Sequence, residues 1–224
     1  MMRIADNVEM LEITNPGPHH PVLVWDDKDV VLIDTSYLEQ TEALRAEIER
    51  CGFSFDQVTH VILTHQDVDH TGNARILREH GAKVAAGRVE VPFIQGDRPL
   101  TKITDMESID LPPDRVPFLE MLKDHAPLLT VHVDIPLDDE QELPICGGLT
   151  AVFTPGHTPG HIVVRIPWAD LIVCGDAANI RDSVLIGPNP AMTHDMGEGT
   201  ISFDKIKSIG AHKYVTYHGG FVEL

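Results

Sequence analysis

Residues 64–72 read THQDVDHTG. His65, Asp67, Asp69 and His70 place two imidazoles and two carboxylates directly after the apolar run Val58–Leu63. Carboxylates crowded at the end of a buried strand repel one another and take up protons unless a cation lies between them. Imidazole with carboxylate is a ligand set for a first-row divalent metal. In an extended or turning segment alternate side chains point the same way, so positions 65, 67 and 69 converge; a helix would separate Asp67 from the other two. A lone His or Asp is usually a surface or hydrogen-bonded group, but this density at a strand end points to a metal.

The rest of the chain supplies partners. TPGHTPGHI (Thr154–Ile162) puts His157 in a turn after an apolar run, VCGDA puts Asp176 after another, and TYHGG puts His218 after a third. Polar groups at the ends of several strands of an α/β sheet gather in one crevice.

The elements that must position them are short Val- and Ile-rich runs between turn signals. Strands are predicted at Val8–Ile13, Val22–Trp25, Val30–Ile33, Val58–Leu63, Lys83–Ala86, Leu129–Val133, Leu149–Phe153, His161–Ile166, Leu171–Cys174 and Tyr214–Tyr217. Helices are predicted at Glu39–Arg50, Gly72–Glu79, part of Val116–Lys123 and Gly199–Ile209. WDDKD reads as a hairpin turn, and the acidic run Asp138–Glu142 as a solvated loop. The whole chain, 1–224, reads as one mixed α/β domain with two sheets. Within it, residues 88–143 are proline-rich without a sheet pattern, and are expected to form a helical and irregular insertion covering the site.

HQDVDH, PGHTPGH, CGD and YHGG, in that order over nearly the whole chain, resemble the motifs of the metallo-β-lactamase-fold hydrolases. The resemblance implies an αββα four-layer sandwich of two mixed β-sheets flanked by helices, with two divalent ions at the sheet edge. It implies that His65 and His157 serve the first ion, that Asp69, His70 and His218 serve the second, and that Asp176 bridges both. The family motif is HxHxDH; here the second histidine is Asp67, giving HxDxDH. Asp67 is then an oxygen ligand favouring iron or manganese beside zinc, as a carboxylate is at this position of the flavodiiron proteins; or it misses the metal and the first site is weak; or the chemistry is lost. The retained ligands argue against loss. Asp34, in VLIDTS, is either the family's aspartate that orients a ligand or a helix cap. His161 reads as structural and Tyr37 as a packing residue or a donor to substrate oxygen. His19, His20, His60, His80, His125, His132, His194 and His212 read as surface or core residues.

Composition narrows the chemistry. A net charge of −18 repels nucleic-acid backbone and anionic membrane. Three scattered cysteines, no secretion-like start and no apolar run near the roughly 20 residues of a membrane span lead to an expectation of a cytoplasmic protein. The expected activity is hydrolysis by a metal-bound hydroxide, with Asp69 and Asp176 holding the metals and passing a proton to the leaving group. A small ester, lactone or thioester is expected by elimination: the chain ends shortly after His218, without a flavin domain or the added domain of glyoxalase II-type thioesterases. The alternatives are a mononuclear iron oxygenase of the persulfide dioxygenase kind, using His65, His157 and Asp176, and a non-catalytic metal-binding scaffold. A homodimer is a family-level expectation.

Overall fold

The computed structural model describes residues 1–224. Its first sheet runs in sequence order, β1 (Met2–Ala5), β2 (Val8–Met10), β3 (Val22–Trp25), β4 (Val30–Ile33), β5 (His60–Leu63), β6 (Lys83–Gly87) and β7 (Ile135–Leu137). It is antiparallel through β4 and parallel from β4 to β7. The second half supplies β8 (Gln141–Leu143), β9 (Leu149–Phe153), β10 (Ile162–Ile166), β11 (Leu171–Val173), a separate hairpin of β12 (Asn179–Arg181) and β13 (Val184–Ile186), then β14 (Lys213–Thr216) and β15 (Gly220–Glu223). The second sheet has the order β15-β14-β11-β10-β9-β8, with β11 and β14 parallel and its other neighbours antiparallel.

Period-two alternation decides the layers. Val22 and Val24 of β3, with Val31 and Ile33 of β4, meet Ala151, Ile162, Val164 and Val173 of the second sheet. Leu23, Leu32, Val61, Leu63 and Val84 face outward onto Leu44 and Ile48 of α1 (Thr41–Arg50). On the far side Val152, Val163, Ile172 and Tyr214 pack with Ile206 of the last helix. Each fully buried Leu or Ile contributes about 1.5–3 kcal/mol relative to exposure. The αββα sandwich expected from the motifs is therefore the fold.

The remaining helices follow chain order: α2 (Val68–Thr71), α3 (Ala74–Glu79), α4 (Val91–Ile94), α5 (Thr101–Glu107), α6 (Val116–Leu129) and α7 (Met196–Ser208), which carries Ile206. Several boundaries differ from the sequence reading. Leu129–Val133 is not a strand: Leu129 closes α6, because Leu119, Leu122 and Leu129 share the apolar face that meets Val68 and Ile103. Val131 and Val133 then pack on the outer core with no ladder partner, and pairing resumes only at Ile135. The ladder of β2 stops at Met10, and Ile13 makes only an isolated bridge to His19. The acidic loop ends at Glu140, where β8 begins to pair with β9. The stretch 88–143, read as lacking sheet, thus gives an edge strand to each sheet, while its helices α5 and α6 pack over α2.

Two contacts hold the site loops to this frame. Gly72, between α2 and α3, lies so close to the 36–38 segment that a Cβ there would overlap the Ser36 carbonyl and stand 2.5 Å from Leu38 N. Glu90, buried after β6, accepts Gln66 Nε2 at 2.9 Å and Gly160 N at 2.7 Å, and Gln66 Oε1 accepts Thr101 N at 2.6 Å. Glu90 therefore ties the motif loop, the Thr154–Ile162 turn and the start of α5 together.

Gly72→Ala is expected to lower unfolding stability by about 1–3 kcal/mol, measured by denaturant titration, because backbone on the other side cannot yield as a side chain would. Burial raises the Glu90 carboxyl from 4.5 to about 7 against the pull of the Gln66 donor. The folded state then holds a proton that the unfolded chain has lost between about 4.5 and 7, so stability falls as pH rises across that window. Relative to Glu90→Gln, the wild-type melting temperature is expected to drop across the same interval; parallel curves would contradict this.

Candidate metal centre

The chemistry gathers at the C-terminal ends of five strands. Asp34 follows β4, His65 and Asp67 follow β5, His157 follows β9, Asp176 follows β11 and His218 follows β14. Gly175, at φ +50°, lies so near Thr64 and His161 that a Cβ would sit 2.7 Å from Thr64 Oγ1. That close approach brings the CGD turn against the first motif. His161 accepts the Asp176 backbone N–H at 3.1 Å on Nε2, and its Nδ1 lies 3.0 Å from Thr154 Oγ1. It braces the turn, as its structural reading implied.

All seven candidate ligands come together, but in two sets. In the first, Asp67 Oδ2 lies 3.1 Å from His65 Nε2 and 3.0 Å from His157 Nε2, and His157 Nε2 lies 3.5 Å from Asp176 Oδ2. In the second, His218 Nε2 is 3.3 Å from Asp69 Oδ2 and 3.4 Å from Asp176 Oδ2, and His70 Nε2 is 3.7 Å from Asp69 and 3.6 Å from Asp176. Positions 65, 67 and 69 do not converge as their alternation suggested. Val68–Thr71 winds into a helical turn, so Asp69 and His70 swing to the second set while His65 and Asp67 remain with the first.

Groups around the second set fix its orientation. Asp34 Oδ2 lies 2.9 Å from His70 Nδ1, and the same carboxylate accepts Thr64 N and Thr64 Oγ1. The helix-cap alternative for Asp34 is thereby set aside; the carboxylate aims His70 Nε2 inward. Tyr217 stacks on His70 at 3.8 Å between ring centroids, donates to the Asp69 carbonyl at 2.7 Å and accepts Ser36 N at 3.0 Å.

The two sets differ electrically. Burial alone would raise the Asp67 carboxyl, but Lys102, then His65 and His157, hold it well below the carboxylate range. Burial, reinforced by His70, drops His65 to about 4, so it stays neutral. Burial opposes charge on His70 and His218 too, yet Asp34 with Asp69 lifts His70 to about 9, and Asp176 with Asp69 lifts His218 to about 11. The carboxylates of the second set thus raise the imidazoles they face, whereas burial lowers His65 in the first.

The donor arrangement fits a metal. Ligands at about 2.1 Å around a tetrahedral ion stand about 3.4 Å from one another; the 3.0–3.5 Å separations in the first set and the 3.3–3.7 Å separations in the second are near that edge, with Asp176 facing His70 through Oδ1 and His218 through Oδ2. His70 Nε2 is buried without a hydrogen-bond partner, which costs free energy that coordination would offset, while His65 Nε2 faces Asp67 Oδ2 at 3.1 Å. Beside them opens a cavity of about 290 Å³, walled by Tyr37, Phe118 and Leu122 opposite Asp69, Lys102 and Asp176. A larger cavity of about 830 Å³ lies among Glu12, Glu39, Arg50 and His125, and no candidate ligand lines it.

Sequence reasoning missed three residues. His19, read as surface or core, is buried with Nε2 3.9 Å from Asp69 Oδ2, edge-on to Tyr37 and His218. Its place depends on the bridge between Ile13 and His19, which no local spacing announces. Lys102, on the first turn of α5, pairs with Asp67 and reaches 3.4 Å from His157 Nε2. Glu90 gave no signal beyond its position after a strand.

Residues 14–218 match the metallo-beta-lactamase superfamily. A probable metallo-hydrolase of Bacillus subtilis, YflN, is 28% identical over 209 residues, covering 84% of this chain and 75% of its own. Among solved structures, the metallo-beta-lactamase family protein TTHA1429 of Thermus thermophilus superposes with a TM-score of 0.79 at 21% identity, over 99% of this chain and 76% of that one. A Cronobacter sakazakii metallo-beta-lactamase described by a HARLDQ motif superposes with a TM-score of 0.70 at 21% identity, over 96% and 79%. No helix is long and apolar enough to cross a membrane. Since the match spans nearly the whole sandwich and every strand end that bears a candidate ligand, the chain belongs to the metallo-beta-lactamase superfamily.

Proposed function

We propose that the protein is a metal-dependent hydrolase of a small ester, lactone or thioester. One observation carries the reading: Asp69 and Asp176 stand 3.3–3.7 Å from the imidazoles of His70 and His218 beside a small cavity, with no lysine or arginine within ion-pair distance of either carboxylate. Those residues would hold one divalent ion, and His65, Asp67, His157 and Asp176 a second in the dinuclear form expected from the motifs. Zinc, iron and manganese all suit imidazole–carboxylate donors. When bound, such an ion lowers the pKa of a coordinated water from about 15.7 towards 7 and polarises an acyl oxygen.

The protein's own groups do the rest. Asp34 keeps His70 oriented, and His161 fixes the backbone that carries Asp176. Phe118, Leu122 and Tyr37 form a partly apolar wall, which suits an uncharged acyl group and limits water around it. Burial, then Asp69 and Asp67, keeps the Tyr37 hydroxyl protonated as a hydrogen-bond donor to substrate oxygen. Asp69 and Asp176 border the same cavity, which supports their passing a proton to the leaving group. A cavity of about 290 Å³ is of a size to accommodate a small molecule.

Two outcomes test the reading. Chelation is expected to abolish hydrolysis across a panel of lactones, thioesters and aryl esters, and added zinc, manganese or iron to restore it. Asp176→Ala is expected to lower kcat at least about 100-fold and to reduce bound metal; full turnover with metal retained would remove Asp176 from the assignment. Oxygen consumption by iron-loaded protein, without hydrolysis, would favour the mononuclear oxygenase instead.

A further inference from the structure

Lys102 is held against the first set by its surroundings. Leu100 and Ile103, on either side of it, are buried against Val68, and Thr101 N donates to Gln66 Oε1 at 2.6 Å. Its ammonium pairs with Asp67 Oδ2, the same oxygen that faces His65 and His157. That oxygen is the one a first metal would need. A divalent ion entering there would meet a like charge and would have to displace it. The carboxylates of the second set, Asp69 and Asp176, have only histidines as ion-pair partners.

We propose that Lys102 is the resident cation of the first set, so that the chain carries one divalent ion, at Asp69, His70, Asp176 and His218, rather than two. The inference rests on the hydrolase reading and narrows it: an amine replaces one of the two metals. It also accounts for Asp67 standing where the family motif has histidine. A neutral imidazole would leave a buried ammonium unpaired, whereas a carboxylate neutralises it. Lys102 borders the cavity with Asp69, Asp176 and His218, so the positive charge that a first ion would present to substrate is still there.

The test counts metal. Protein stripped with chelator is loaded with excess zinc, and in parallel with manganese, desalted, and its metal per chain measured by mass spectrometry. The wild type is expected to hold one ion, Lys102→Met two, and Lys102→Arg, which keeps the charge, one. Circular dichroism of the metal-free proteins establishes that each variant is folded; if Lys102→Met is not, the wild-type count and Lys102→Gln decide. Two ions in the wild type would overturn the proposal and leave the hydrolase reading standing. One ion in both the wild type and the charge-removing variant would also overturn it, since the lysine would then exclude nothing. No ion in any of the proteins would defeat the hydrolase reading itself.

Discussion

Four carboxylates, Asp34, Asp67, Asp69 and Asp176, are packed among histidines at one edge of the sandwich, and their mutual repulsion is the constraint to which the rest answers. Burying like charges costs several kcal/mol per group unless each finds a partner. The protein meets this cost differently at each carboxylate. Asp34 receives Thr64 and faces His70, Asp67 receives an ammonium, and Asp69 with Asp176 are left to histidines and whatever cation joins them. The sheets, turns and insertion can be understood as the frame that keeps this arrangement from relaxing. Core packing on both faces of each sheet fixes the strand ends, and only strand ends that do not move can hold anions this close.

Much of the frame was legible in the chain. Val22–Trp25, Val30–Ile33 and Leu149–Phe153 were recovered at both ends because they are short β-branched or aromatic runs bounded by turns, and because both faces of their sheets are buried. The motif residues were legible for a different reason. Each follows such a run directly, so strand prediction and site prediction reinforced one another. Leu129–Val133 failed because an apolar run carries no periodicity by itself, and Leu129 met the helical spacing of Leu119 and Leu122 equally well. The edge strands β7 and β8 escaped because their pairing is set by neighbours distant in sequence.

Within the site, legibility stopped where contacts became non-local. Spacing could say that Asp67 was unusual, but not what it met, because Lys102 arrives from a helix 35 residues away with no recognisable motif. His19 sits at the end of an isolated bridge and looked like any loop histidine. The assumption that alternate residues converge also failed at Asp69, where one helical turn carries Asp69 and His70 to a different cluster. Local sequence patterns indicate which groups are available; tertiary contacts decide how they are shared.

The excursion through α4, α5 and α6 leaves the first sheet at the end of β6 and returns to it in β7, its immediate parallel neighbour, with Ala85 opposite Ile135. Because the strands are parallel, its anchors at Gly87 and Ile135 are offset by two residues along the strands as well as by one inter-strand spacing, roughly 8 Å in all, however long the chain between them. Loop-closure entropy grows only logarithmically with length. Residues can therefore be added or removed between its packed elements at little entropic cost, while Glu90 keeps it tied to the site loops and Ile94, Val131 and Val133 keep it on the outer core. Lys102, Phe118 and Leu122, which line the cavity, therefore all lie on one stretch of chain hung between two neighbouring strands.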